Sequence, residues 1–175
     1  MITKWNFQTP TEEELHKRDR LASQLGLSPV VCLLLVQRGL TTVEEVKKFF
    51  KPSLNDLHDP FLMPDMEKAV KRLNKAMGNK EKILIYGDYD VDGTTAVSLV
   101  YKYLRPYSSA LDYYIPDRYD EGYGISYKGI NYARENGITL VISLDCGIKA
   151  IEKIEYAKQL GIDFIICDHH MPDDT

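Results

Sequence analysis

Ile83-Leu84-Ile85-Tyr86-Gly87-Asp88-Tyr89-Asp90-Val91-Asp92-Gly93 passes from an apolar run of strand length into three alternating carboxylates. The next residues, Thr94-Thr95-Ala96-Val97-Ser98-Leu99-Val100-Tyr101, read as an apolar helix. A buried strand, an acidic turn and a helix in that order begin a βαβ unit. Three carboxylates gathered at one turn repel one another, and a bound cation offsets that repulsion. D-x-D-x-D-G also opens an EF-hand calcium loop, which must close on a bidentate Glu at its twelfth position. Counted from Asp88 that position is Leu99, and Ala96 fills the ninth, so the second half of such a loop is missing. A solvated acidic turn is the other reading of the segment by itself, since Asp and Gly favour turns.

The same period continues downstream. Apolar runs of strand length recur at 111–115, 139–144 and 163–167, and helix-like stretches fill 94–104, 126–136 and 149–160. Gly137 and Gly161 sit where helix-to-strand turns need a left-handed residue. Strands alternating with helices predict an α/β fold, a mostly parallel Rossmann-like sheet flanked by helices. A small helical region precedes it. Thr11 with Glu14 and Thr42 with Glu45 are capping boxes, and Ser28-Pro29 places Pro at a first helical position with Gly39 as the stop. Val43, Val46, Phe49 and Phe50 are expected on one side of the third helix, which Pro52 ends. Residues 52–63 read as an irregular connection, and Met63-Pro64-Asp65 leads a helix through about Met77 with Gly78 after it. The expected division is 1–55 for the helical region and 56–175 for the α/β domain.

Bulk properties narrow the function classes. The 175 residues carry a net charge of −4, which argues against blanket adhesion to nucleic acid. The excess is uneven: +3 over residues 1–80 and −7 over the remainder, which holds the Asp cluster. All twelve tyrosines lie between Tyr86 and Tyr156. Tyr can stack on bases, but it also fills strands and half-buried surfaces. No segment is apolar and long enough to span a bilayer, and Met1-Ile2-Thr3-Lys4-Trp5-Asn6 lacks a signal peptide's apolar core. Cys32, Cys146 and Cys167 are scattered, without a CxxC, which suits a reducing cytosol. Cys146 and Cys167 are expected to pack behind the strand ends.

Ligands of open parallel sheets bind beyond the carboxyl ends of the strands. Polar residues stand there after every predicted strand: Asp88, Asp90 and Asp92, then Pro116-Asp117-Arg118, then Asp145, then Asp168-His169-His170. Carboxylates with imidazole and no thiolate suit Mn²⁺ or Mg²⁺ better than structural zinc. Two such ions about 3.5–4 Å apart would clamp the attacking and leaving oxygens of a phosphate ester. Arg118 has two readings, a phosphate contact or a surface salt bridge to Asp117 or Glu121.

In order and spacing, these motifs resemble the DHH phosphoesterase superfamily, named for a triplet such as Asp168-His169-His170, and within it the RecJ-type single-stranded-DNA-specific exonucleases. Gly87-Asp88-Tyr89-Asp90-Val91-Asp92-Gly93, Pro116-Asp117-Arg118 with Gly122-Tyr123-Gly124, Ser143-Leu144-Asp145-Cys146-Gly147, the triplet and the Asp59–Met66 segment carry the likeness, from about Leu27 onward. The resemblance implies metal ligation by Asp90, Asp92, Asp145 and His169, with Asp145 bridging two ions. It implies a phosphate contact from His170, substrate binding by Arg118, and Asp88 and Asp168 orienting their neighbours. It also implies 5′ to 3′ hydrolysis of single-stranded DNA with Mn²⁺ or Mg²⁺, in the cytoplasm and off the membrane, alongside other recombination and repair proteins.

One departure accompanies the likeness. The family has a further ligand Asp beyond the third motif and then a second domain, whereas this sequence ends at Asp173-Asp174-Thr175. The expectation is an N-terminal piece with weak or no nuclease activity and loose metal binding. Two rival readings stand beside it. One is a DHH enzyme acting on pyrophosphate, cyclic dinucleotides or short oligonucleotides. The other is a non-catalytic nucleic-acid-binding module.

Overall fold

A computed structural model describes Lys4 and residues 9–173. Met1–Thr3, Trp5–Gln8 and the closing Asp174-Thr175 lie outside the described residues. The chain divides into two compact units, Met1–Leu62 and Met63–Thr175.

The first unit is helical. Helices α1 (Glu12–Leu25), α2 (Pro29–Gln37) and α3 (Val43–Phe50) follow in order. Both predicted capping boxes form: Thr11 with Glu14 opens α1, and Thr42 with Glu45 opens α3. Leu21, Cys32, Leu35, Val36 and Val46 make its core. The expected apolar side of α3 buries Val46 but not Phe49 and Phe50. They pack edge to face on each other, 5.2 Å between centroids, and stay more than half exposed. The connection after Pro52 is less irregular than expected, because Leu54–Asp56 and Pro60–Leu62 each form a 3₁₀ turn.

The second unit is an α/β sandwich of three layers. Helix α4 (Met66–Gly78) is followed by β1 (Lys82–Gly87), α5 (Val91–Leu104), β2 (Leu111–Tyr114), α6 (Tyr127–Glu135), β3 (Ile138–Leu144), α7 (Ile151–Gln159) and β4 (Asp163–Cys167). Gly78 closes α4 from inside rather than following it, and Asn79 caps the helix. The four strands are parallel in the order β2-β1-β3-β4. Alternation along β1 explains the two cores. Ile83 and Ile85 face one way, with Val97 and Leu104 of α5 and Ala76 of α4. Leu84 and Tyr86 face the other, with Ile130 and Ala133 of α6 and Ala157 of α7. Each large side chain fully buried this way contributes about 1.5–3 kcal/mol.

The strand order reverses beside β1. The chain leaves β1 for β2 on one side, then crosses to β3 on the other. The crevice beyond the carboxyl ends of β1 and β3 is therefore the switch point at which open α/β sheets bind ligands. Register sharpens this placement. Gly87 pairs with Leu144, and Leu144 with Cys167. The residue following each of the three is an aspartate, Asp88, Asp145 or Asp168, so these form the next row of the sheet edge.

Candidate metal centre

Helix α5 starts at Val91, earlier than predicted, and this fixes the acidic turn. Asp90 is its N-cap, accepting from the Gly93 amide at 2.9 Å, while Asp92 lies exposed in the first turn. Asp88 is fully buried. Its Oδ1 accepts from the Gly124 amide at 3.3 Å, and its Oδ2 has no hydrogen-bond partner among the described residues. A Cβ on Gly93 would come within 2.5 Å of the Asp88 carbonyl oxygen, so only glycine lets α5 begin this close to the end of β1.

Asp145 leaves β3 with φ +60°, a left-handed conformation that non-glycine residues adopt rarely. Its amide donates to the Cys167 carbonyl at 2.8 Å, so the turn is tied to the end of β4. Its Oδ1 lies 3.1 Å from His169 Nε2. Asp145, His169 and His170 each present a ligand atom, all within 4.8 Å of one another. Asp90 and Asp92 are not part of that group.

Asp168 orients the second histidine. Its Oδ1 lies 2.7 Å from His170 Nδ1 and also accepts from the His170 amide, while Oδ2 accepts from the Ile148 amide at 2.9 Å. Burial pushes the Asp168 carboxyl up, but these hydrogen bonds outweigh it and hold it below the usual range. The Asp168 hydrogen bond in turn raises the His170 pKa. His170 Nε2 is 3.3 Å from the Tyr123 hydroxyl, which also reaches the Asp145 carbonyl at 3.2 Å. A phenol has one proton. With that proton on the Asp145 carbonyl, Tyr123 accepts from Nε2 only when both His170 nitrogens carry protons.

The field at this edge is anionic. Burial raises the Cys146 thiol to about 12, and Asp88, Asp168, Asp145 and Asp90 add to the rise. Burial with the charges of Asp88, Asp145 and Asp168 likewise lifts Tyr123 to about 12. Cys146 is therefore a neutral packing residue, as expected, whereas Cys167 is exposed rather than packed behind the site. Hard oxygen donors, imidazoles and an unpaired buried carboxylate oxygen fit an ion such as Mn²⁺ or Mg²⁺. A cavity of about 250 Å³ opens beside the centre, lined among others by Tyr123, Ile125, Gly147, Lys153 and His170.

Arg118 pairs with neither Asp117 nor Glu121. Its guanidinium lies over the Tyr89 ring, 5.3 Å from the centroid, and makes no ion pair among the described residues. Asp117 is occupied with the amides of Tyr119 and Asp120. Glu121 points inward to Tyr114, Ser126 and the Asp117 amide. Sequence reading passed over Glu121 and Tyr123 as site-building residues. Their signal was weak, because acidic and aromatic residues in a glycine-rich loop read as solvated.

Residues 82–175 match the model of the DHH family, N-terminal domain, and the chain belongs to that family. Among relatives, it is 41% identical to the single-stranded-DNA-specific exonuclease RecJ of Bacillus subtilis, over 97% of this chain and 21% of that protein. It is 34% identical to RecJ of Escherichia coli over 85% of this chain and 25% of that protein. The chain thus spans about a fifth to a quarter of the length of these relatives. Among solved structures, RecJ from Thermus thermophilus in complex with Mn²⁺ superposes with a TM-score of 0.67 over 92% of this chain and 22% of that one, at 23% identity, a likeness of fold. Exonuclease RecJ bound to manganese gives a TM-score of 0.59 over 65% of this chain and 30% of that one, at 29% identity.

Proposed function

We propose that this chain supplies the DHH half-site of a RecJ-type enzyme that hydrolyses single-stranded DNA from 5′ to 3′ with Mn²⁺ or Mg²⁺. The observation that carries this reading is the Asp145-His169-His170 group at the switch point, backed by buried Asp88. In the proposal Asp145 and His169, with Asp90 and Asp92 at the start of α5, would hold the divalent metal. A divalent ion held there neutralises phosphate charge and lowers the pKa of water.

The chain's own residues do the rest. His170, doubly hydrogen-bonded by Asp168 and held at Tyr123, presents a proton-bearing nitrogen to the scissile phosphate or leaving oxygen. Arg118, without a carboxylate partner among the described residues, binds substrate phosphate. Asp88 orients the turn from below through the Gly124 amide. In this proposal the enzyme works in the cytoplasm, in DNA repair and recombination with other proteins of those pathways, a reducing setting that suits its free cysteines.

The test uses the complete gene product with Mn²⁺ and three substrates: 5′-phosphorylated single-stranded DNA, pyrophosphate and a cyclic dinucleotide. The proposal expects turnover of the DNA and loss of turnover with retained DNA binding in Asp145→Ala. Preference for either small substrate supports another DHH phosphoesterase. Unchanged behaviour of Asp145→Ala supports a binding module.

A further inference from the structure

We infer that Glu121 is a positioning residue, a buried carboxylate that holds the 117–126 loop so that Arg118 and Tyr123 address the strand-end site. The inference rests on the reading under Proposed function.

The loop leaves β2 and returns as the N-cap of α6, and Glu121 ties both ends. Its side chain is 4% exposed. Oε1 accepts from the Asp117 amide at 2.9 Å, and both oxygens lie 3.0 Å from the Tyr114 hydroxyl on β2. Oε2 accepts from the Ser126 hydroxyl, whose oxygen accepts the Gly129 amide and so caps α6. Burial raises this carboxyl, yet the surrounding donors hold it below the usual range, so it is charged and fully engaged. A buried carboxylate kept this way costs desolvation that a purely apolar anchor would avoid.

The loop's middle carries the side chains that face the site. Arg118, next to the tied Asp117, lies over Tyr89, and Tyr123 reaches His170 and the Asp145 carbonyl. The Gly124 amide meets Asp88, and the Gly124 carbonyl accepts from Tyr86. Glu121 touches none of Asp145, His169 or His170, so its effect runs through loop geometry.

The conservative variant separates charge from geometry. In Glu121→Gln the amide oxygen still accepts from Asp117 and Tyr114, and the amide nitrogen donates to Ser126 Oγ, which can take a second donor. Glu121→Ala removes every tie.

The experiment compares Glu121→Ala, Glu121→Gln and Tyr114→Phe in the complete protein by steady-state kinetics on 5′-phosphorylated single-stranded DNA, Mn²⁺ titration, and amide exchange across 117–126. Glu121→Ala is expected to lower kcat/KM by about ten- to a hundredfold, the cost of misplacing site groups by about 1 Å. Most of that loss falls on KM, with Mn²⁺ affinity unchanged and faster exchange at Asp117. Glu121→Gln restores most of it. If the alanine variant does not fold, Tyr114→Phe carries the test through faster exchange at the Asp117 amide. Wild-type exchange at the Asp117 amide in folded Glu121→Ala, or in Tyr114→Phe where the alanine variant does not fold, overturns the inference, and so do wild-type KM and kcat in Glu121→Ala. A wild-type protein inert on the DNA overturns the proposed function instead, while the exchange data still judge the loop.

Discussion

Asp168 Oδ1 sits 2.7 Å from His170 Nδ1 and also receives the His170 backbone amide, so one carboxylate oxygen fixes both the ring and the backbone of the histidine. The Asp168 side chain is 2% exposed while His170 is 44% exposed, which makes the pair a buried arm presenting an accessible ring. Replacing Asp168 by Ala frees the ring and leaves the Ile148 amide without its acceptor. Turnover in the complete protein is expected to fall about 10–100-fold, the usual cost of losing a group that orients a site histidine. Steady-state kinetics check this, and unchanged kcat would dissociate Asp168 from the site.

Gly93→Ala tests the acidic turn. The added methyl would meet the Asp88 carbonyl oxygen at 2.5 Å and its amide nitrogen at 2.6 Å, both backbone atoms that cannot swing away. We expect a loss of about 1–3 kcal/mol in stability, as for other overpacked positions. Chemical denaturation measures it, and a neutral result would mean that α5 can shift from β1.

Away from the site, Arg72 of α4 joins the turn before β1 to β4. Its Nη2 lies 2.8 Å from Glu81 Oε2, and its Nε lies 2.5 Å from Asp163 Oδ2 at the start of β4. Arg72→Ala is expected to cost about 1.5–3 kcal/mol, the range for hydrogen bonds to charged groups. An unchanged denaturation midpoint would contradict it.

The same cluster sets a pH dependence. The Thr139 hydroxyl, then Arg72, hold the Glu81 carboxyl below its ordinary value. A depressed folded-state pKa stabilises above the unfolded value, about 4.3, and that contribution disappears as pH falls through the lower folded value. Wild-type stability should therefore fall with acid more steeply than that of Glu81→Gln, read from denaturation midpoints between about pH 6 and 3. Parallel curves would remove Glu81 from the acid response.

Much of this was readable from residues. The βαβ period, the capping boxes and the parallel sheet follow from local pattern, because strand and helix periods differ and Thr-x-x-Glu has one strong meaning. The convergence of Asp88, Asp145 and Asp168 followed from strand ends. Three things were not readable. Where α5 begins depends on Gly93 fitting against Asp88, a contact between backbones. Asp145's left-handed turn depends on the Cys167 carbonyl across the sheet. Glu121's inward orientation depends on Tyr114 and Ser126, which local sequence does not mark as donors to one carboxylate. Phe49 and Phe50 show the opposite limit, since their helical spacing promised burial that the first unit does not provide.

The account stands on a divalent-metal centre at the strand-end crevice. Its most direct test is Mn²⁺ titration of the protein followed by electron paramagnetic resonance, comparing wild type with Asp145→Ala and His169→Ala. The account predicts saturable binding by wild type and affinity at least about tenfold weaker in both variants. Equal Mn²⁺ affinity in all three proteins would contradict it.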